Sequence, residues 1–199
     1  MAAALQKAQN GWPAATTRDA LGLKEYTVKL QRGPKKVWLA PGAAKALVEI
    51  IEWWDKNIEP VTELGSYNYR EIRGYEGTGI LSNHSSGTAV DINWSLHPLG
   101  ASGTVPTEKA AKLVYETTKR GLRWGGTYSG RKDEHHIEVN LEPTKFAALW
   151  AALDKARGGL KFIRGHWPLT IGVLVAGGFG IWYALRSDPT GRKSQKQLT

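Results

Sequence analysis

A small α+β domain is predicted from three observations. Three stretches repeat apolar residues at helical spacing, two short runs have period two, and glycine, serine and asparagine bound those runs. Helices and a small antiparallel sheet would share one core, which a chain of 199 residues with 41% hydrophobic and 23% charged composition is long enough to bury. Pro41 to Pro60 is the first helix: Ala44, Leu47, Val48, Ile51, Trp54 and Ile58 recur on one face, and Pro60 stands at its end. Glu108 to Arg120 is the second, with Ala110, Leu113, Val114 and Thr117 on one face and Gly121 as the stop. Thr144 to Arg157 is the third, with Phe146, Leu149, Trp150 and Leu153 inward and Gly158-Gly159 closing it. Ala89 to Trp94 and His136 to Asn140 are the predicted strands.

Cysteine is absent, so disulfides and thiolate metal sites are excluded and any metal must be held by His, Asp or Glu. The opening MAAALQKAQN has no basic segment followed by an apolar core, so no secretory signal peptide is expected there. The formal charge of +9 suits an anionic partner. No compact basic block interleaved with aromatics stands out, so nucleic acid is not expected as a partner.

The composition changes after the glycine pair. Residues 1–160 read as one domain and 161–199 as an anchor with a basic tail. Gly165 to Leu185 carries no Lys, Arg, Asp or Glu, and Trp167 to Leu185 is a continuous weakly apolar run. At about 1.5 Å per residue it reaches roughly 28 Å, about one hydrocarbon core. Trp167, Trp182 and Tyr183 suit interfacial belts, with Arg164 and Arg186 outside them. The expectation is a single membrane-spanning helix in a lipid bilayer. Four Lys/Arg on each side leave its orientation open.

The stretch SNHSSGTAVDINW, Ser82 to Trp94, carries the first candidate chemistry. On a strand Ala89, Asp91 and Asn93 share one face and Val90, Ile92 and Trp94 the other. Gly87 permits a turn that folds His84 back beside Asp91. Zinc catalysis needs a third protein ligand that leaves one position open, and RKDEHHIEVN offers it. His136 and Glu138, two apart, face the same way on a strand, whereas His135 points oppositely. Asp133, three residues upstream of His136, could take a proton from an activated water, and Glu138 could orient a ligand through its second ring N–H. Each segment alone also fits a solvated charge run.

Together the segments resemble a known pattern. SNHSSGTAVD fits S-x-H-x-x-G-x-A-x-D and DEHHIE fits D-x-x-H-apolar-E, the paired signatures of the zinc D,D-carboxypeptidase and L-alanyl-D-glutamate peptidase family. YNYREIRG resembles the family's approach to the first motif, HPLG and LRWGG resemble its later loops, and NGWPAATTRDALG looks like the start of phage-encoded members. The resemblance covers most of Gln9 to Trp150. It implies a Hedgehog/DD-peptidase-like fold, Zn2+ held by His84, Asp91 and His136, Asp133 as general base, and Arg70 polarising the scissile carbonyl, with Arg73 as its rival. Ser82, Tyr67, Asn68 and Trp124 are further candidates for lining or supporting the cleft. Two departures stand out: the position after Arg70, commonly proline in close relatives, is Glu71, and the residue before His136 is a second histidine, His135.

The activity implied is that of a phage-type endolysin, a zinc metallopeptidase that hydrolyses peptidoglycan stem peptide, most readily at the L-Ala-D-Glu bond. A D-Ala-D-Ala carboxypeptidase and a non-catalytic, membrane-tethered zinc-binding module are the alternatives. The bilayer anchor implies a host-membrane location, single-pass near the C-terminus.

Overall fold

The computed structural model describes residues 5–166; the predicted span over 167–185 and the tail beyond it lie outside them. Among the described residues no helix is long and apolar enough to cross a membrane. A compact unit extends as far as Gly159. Among the described residues the chain has the expected α+β character, with three α-helices and small antiparallel sheets.

Near the N-terminus β1 (Gln6–Lys7) and β2 (Pro13–Ala14) form a short ribbon, followed by the hairpin β3 (Lys24–Val28) and β4 (Lys35–Leu39). Helix α1 (Pro41–Asn57) starts on a proline at its first position, where the fixed φ suits a helix and the missing N–H costs nothing. Ala44, Leu47, Ile51 and Trp54 of the predicted stripe are buried. Just beyond its C-terminus, Val61 N–H donates to the buried Asp55 carboxylate at 2.8 Å, which turns the chain toward the sheet.

The main sheet has the order β5-β6-β8-β7, built from Leu64–Gly65, Ala89–Ile92, His136–Val139 and Leu122–Trp124, antiparallel throughout. Val90, Ile92, Ile137 and Val139 send one face into the core shared with Trp54 of α1 and Leu113 of α2 (Thr107–Thr118). Burying each such side chain contributes about 1.5–3 kcal/mol, so the register of the central pair is strongly held: a slip by one residue would turn this set outward. That register places Asp91 directly opposite His136 and Ala89 opposite Glu138.

Three expectations need correction. The strand from Ala89 ends at Ile92, not Trp94: Asn93 takes φ 51°, and its side chain accepts from Thr62 N (2.8 Å) and Glu63 N (3.0 Å), so period two stops there. Trp94 is consequently 42% exposed. The third helix, α3 (Pro143–His166), continues through Gly158-Gly159; glycine costs about 1 kcal/mol in a helix but does not forbid it. His135 precedes strand β8 in a turn closed by His136 N to Asp133 O at 3.1 Å, so strand alternation does not govern where it points.

Candidate metal centre and catalytic cleft

The first candidate ligand comes from a 3-10 turn, Asn83–Ser86. Ser82 caps it, its Oγ accepting from His84 N at 3.3 Å, and Gly87 closes it at φ 66° with N–H donated to His84 O. A Cβ on Gly87 would lie 2.9 Å from Leu23 and 3.0 Å from Ala40 N, so glycine is required both for the turn and for the close packing behind it. The turn carries His84 over the end of β6, where its Nε2 sits 3.0 Å from Asp91 Oδ1 and 3.1 Å from His136 Nδ1; His136 Nδ1 is 2.9 Å from the same Asp91 oxygen. These three ligand atoms all lie within 4.8 Å of one another.

The outer edge of each ring fixes its inner edge. His84 Nδ1 faces Ser66 O, a group that only accepts, and His136 Nε2 faces Glu138 Oε2 at 3.1 Å. Each neutral ring therefore keeps its proton outward and turns a lone pair inward, toward the Asp91 carboxylate. Two lone pairs and an anion aimed at one point repel one another unless a cation joins them. The donor set of two imidazoles and one carboxylate fits zinc and leaves a fourth position for water. The same demand shows in protonation. Burial opposes charge on His136, but hydrogen bonds to Asp91 and Glu138 outweigh it and push its pKa up to about 10. Burial likewise works against the Asp91 carboxylate, yet His84 and His136 hold it well below the usual range.

Glu138 anchors the arrangement from beneath. Its carboxylate accepts from Asn83 Nδ2 (2.6 Å), Arg123 Nε (2.9 Å) and Tyr128 Oη (2.8 Å) besides His136. Burial raises the Tyr128 pKa and the Glu138 charge raises it further, so the hydroxyl stays a donor. Ser66, Asn83, Arg123 and Tyr128 were not among the sequence candidates. Period two did place Glu138 beside His136, but their other partners come from residues 10 to 55 positions away, which no local pattern reveals.

Asp133 is set by a different group of contacts. Its N–H donates to Gly125 O at 3.2 Å, Lys132 O is held by Gly100 N at 2.8 Å, and the Trp124 indole donates to Glu134 O at 2.7 Å. The Glu134 carboxylate accepts from Gly103 N, Thr104 N and Val105 N, tying this turn to the preceding loop. Asp133 Oδ1 lies 3.0 Å from His135 Nε2; burial lowers the pKa of that imidazole, but Asp133 together with the His97 carbonyl raises it above its ordinary value. His135 itself bonds through Nδ1 to His97 O at 2.7 Å, and its Nε2 is 3.8 Å from Asp91 Oδ1, outside the ligand set.

A cleft of about 570 Å³ opens over His136 and Asp133, and Arg70, Arg73, Ser82 and Tyr128 also line it. Arg70 is fixed through its backbone, donating N–H to Ser85 Oγ at 2.9 Å and accepting from Ser82 N at 3.0 Å. Glu71 accepts from Gly77 N and Gly79 N and so ties down the segment after Arg70. The other candidates lie elsewhere. Tyr67 donates its hydroxyl to Ala15 O at 2.8 Å and packs against the core, Asn68 is exposed with its N–H on His84 O, and Trp124 is buried behind the Asp133 turn.

No solved structure matches this chain. Proteins of two Mycobacterium tuberculosis strains, named as isochorismate synthase MenF, are 40% identical to it over 87 residues, which is 42% of this chain and 23% of theirs. The chain thus spans less than a quarter of the length of these curated relatives. Residues 76–139, which carry all three candidate ligands and Asp133, match the family model described as D-alanyl-D-alanine carboxypeptidase, and with the His-Asp-His cluster this supports a zinc metallopeptidase.

Proposed function

We propose that this chain hydrolyses an amide bond of peptidoglycan stem peptide, as a zinc-dependent endopeptidase of the phage endolysin type acting on the L-Ala-D-Glu bond. The observation that carries the reading is the convergence of His84 and Asp91 on His136, which lines a cleft whose wall also holds Asp133 and Arg70. When bound, zinc supplies an acidified water and a Lewis acid for the carbonyl.

The chain's own residues do the rest. His84, Asp91 and His136 would hold the ion, and Glu138 and Ser66 keep the two imidazoles in the tautomer that can bind it. Asp133, whose side chain lines the cleft beside His136, accepts a proton from the attacking water and returns it to the leaving amine. Arg70 has a buried Nε with no partner among the described residues, and donates to the carbonyl oxygen as it gains charge. Arg73, exposed at the outer wall, is less suited to that task.

A D-Ala-D-Ala carboxypeptidase is the second reading, favoured by the description of the matching family. The positioned Asp133 speaks against a zinc module that only binds partners. The activity named for the mycobacterial proteins is not carried over, because the overlap is a small part of those chains. The run over 167–185 would tether the domain to the host membrane, and recovery of full-length protein in the soluble fraction would exclude that part.

Digestion of purified peptidoglycan by the zinc-loaded chain, with new termini read by mass spectrometry, tests the reading. New N-terminal D-Glu or its amide supports the endopeptidase, and released D-Ala the carboxypeptidase. Bound zinc without cleavage of any wall type contradicts both.

A further inference from the structure

The metal cluster has a second flank, on the side away from the cleft. In the sheet order β5-β6-β8-β7 the cleft is lined by Arg123 of β7 and by His136 and Glu138 of β8, whereas Asp91 of β6 pairs on its other side with Gly65 of β5. Gly65 has no side chain, and the indole of Trp94 closes over it: a Cβ on Gly65 would lie 3.6 Å from Trp94 Cζ3 and 3.8 Å from Asp91 Cβ. Residues directly opposite in an antiparallel pair send their side chains to the same face. The Trp94 ring therefore stands on the ligand face of the sheet, next to Asp91. It is 42% exposed, and the proposed hydrolysis makes no use of it.

Strand alternation would have turned this ring into the core with Val90 and Ile92, and Asn93 prevents it. Asn93 is the one non-glycine residue at positive φ among the described residues, at 51°, and its carbonyl accepts from Leu96 N at 2.9 Å and His97 N at 3.0 Å. Its buried side chain is bonded to Glu59, Pro60, Thr62 and Glu63. Glu63 in turn accepts from Ser95 N at 2.8 Å and Ser95 Oγ at 2.6 Å. The residues on both sides of Trp94 are thus fixed, while the large apolar ring between them faces water. Burying that ring would have stabilised the fold; a turn held by this many bonds displays it instead. Uncommon backbone conformations held in place by their surroundings concentrate where a protein meets its ligand.

We infer that Trp94 is a platform for the pyranose ring of a muramic acid residue on the acyl side of the scissile bond, so that the site selects muramoyl-linked stem peptide over the free peptide. The side is set by Asp133. The group that returns a proton to the leaving amine stands on the leaving-group half, and Asp133 lines the cleft over β8 and β7, which leaves the acyl half of the substrate to β5 and Trp94. This placement rests on the hydrolysis proposed above. In peptidoglycan the L-Ala of an L-Ala-D-Glu bond is joined through a lactyl group to N-acetylmuramic acid, so the next unit beyond the carbonyl residue is a sugar. An indole face carries the negative side of its quadrupole and attracts the C–H groups of a flat pyranose face. A D-Ala-D-Ala substrate places an amino acid there and offers no such face.

The test compares N-acetylmuramoyl-L-alanyl-γ-D-glutamyl-lysine with N-acetyl-L-alanyl-γ-D-glutamyl-lysine. The zinc-loaded full chain is assayed for KM and kcat as wild type, Trp94→Ala, Trp94→Phe and, as a control for an exposed aromatic elsewhere, Tyr115→Ala on α2. Both peptides are also titrated calorimetrically into zinc-loaded Asp133→Asn protein, with and without Trp94→Ala, which reads binding without turnover. The muramoyl peptide should bind about 3–10-fold tighter than the acetyl peptide. That preference should vanish through KM in Trp94→Ala, return in large part in Trp94→Phe and persist in Tyr115→Ala, with zinc content unchanged throughout. Equal binding of the two peptides overturns the inference, as does a preference that survives Trp94→Ala. Loss of zinc from Trp94→Ala would make the ring a support for Asp91 and overturn it as well. Cleavage of both peptides with equal kcat/KM leaves the hydrolysis proposal in place and removes the platform. If neither peptide is cleaved yet Asp133→Asn still prefers the muramoyl peptide through Trp94, the hydrolysis proposal fails and the sugar platform stands.

Discussion

His84, Asp91 and His136 sit on or against the central strands of a buried sheet, with both imidazoles bonded at their outer edges. Across the cleft, Glu71 to Ile80 is mostly exposed and includes three glycines at positive φ, held by two carboxylates on backbone N–H groups. The contrast separates two tasks. Metal chemistry requires donors held to within a fraction of an ångström, which packed strands supply. Recognition requires reach and varied side chains, which a loop on that scaffold supplies at little cost to the core.

Changes in the sheet-held half should therefore abolish chemistry, whereas changes in the loop should alter substrate affinity. The largest effect is expected from His84→Ala. It removes one ligand and leaves Asp91 and His136 with an incomplete set, so bound zinc measured by atomic absorption, and cleavage with it, should fall to background. Normal zinc content in this variant would mean that the cluster is not the metal site.

Gly125→Ala comes next. A Cβ there collides with the Asp133 carbonyl oxygen, so the turn that aims the carboxylate must shift while the metal cluster stays intact. Displacement of about 1 Å costs on the order of 100-fold in kcat, and the sign of success is that loss at unchanged zinc content. A third effect concerns pH. With the His136 pKa pushed up from its ordinary value to about 10, the metal-free site holds a proton below that pH, and zinc must displace it. Affinity should therefore rise about tenfold per pH unit from neutrality toward 10. Calorimetry in two buffers of different ionisation enthalpy should show about one proton released per zinc at pH 7.5.

The smallest effect belongs to the loop. Glu71→Gln weakens the hold on Gly77 N and Gly79 N, each charge-assisted bond being worth about 1.5–3 kcal/mol. Faster proteolytic nicking between Glu71 and Ile80, with a raised KM and full zinc content, is the expected result. Lost zinc would show that the two regions are not separate.

Much of the metal cluster was legible because its ingredients are local. Ser82, His84 and Gly87 encode a capped turn, and Asp91, His136 and Glu138 follow strand alternation. The hairpin β3–β4 was equally encoded, in the alternation of Lys24–Val28 and the Gly33-Pro34 turn, but the helical periodicity of Pro41 onward is the stronger signal. Asn93 ended its strand because five polar groups over Glu59–Glu63 converge on its side chain, a long-range demand that overrides alternation. The carboxylate anchor made by Arg123 and Tyr128, and the fit of Trp94 over Gly65, join segments distant in sequence and were visible only once folded.

The most direct test of the account compares wild type with Asp133→Asn on purified peptidoglycan, with zinc content measured on the same samples. Removing a general base costs about 10²–10⁴-fold, so the prediction is one zinc per chain in both proteins and cleavage reduced by that factor in the variant. Cleavage by Asp133→Asn at the wild-type rate, with zinc bound, would contradict the assignment of Asp133 as the base.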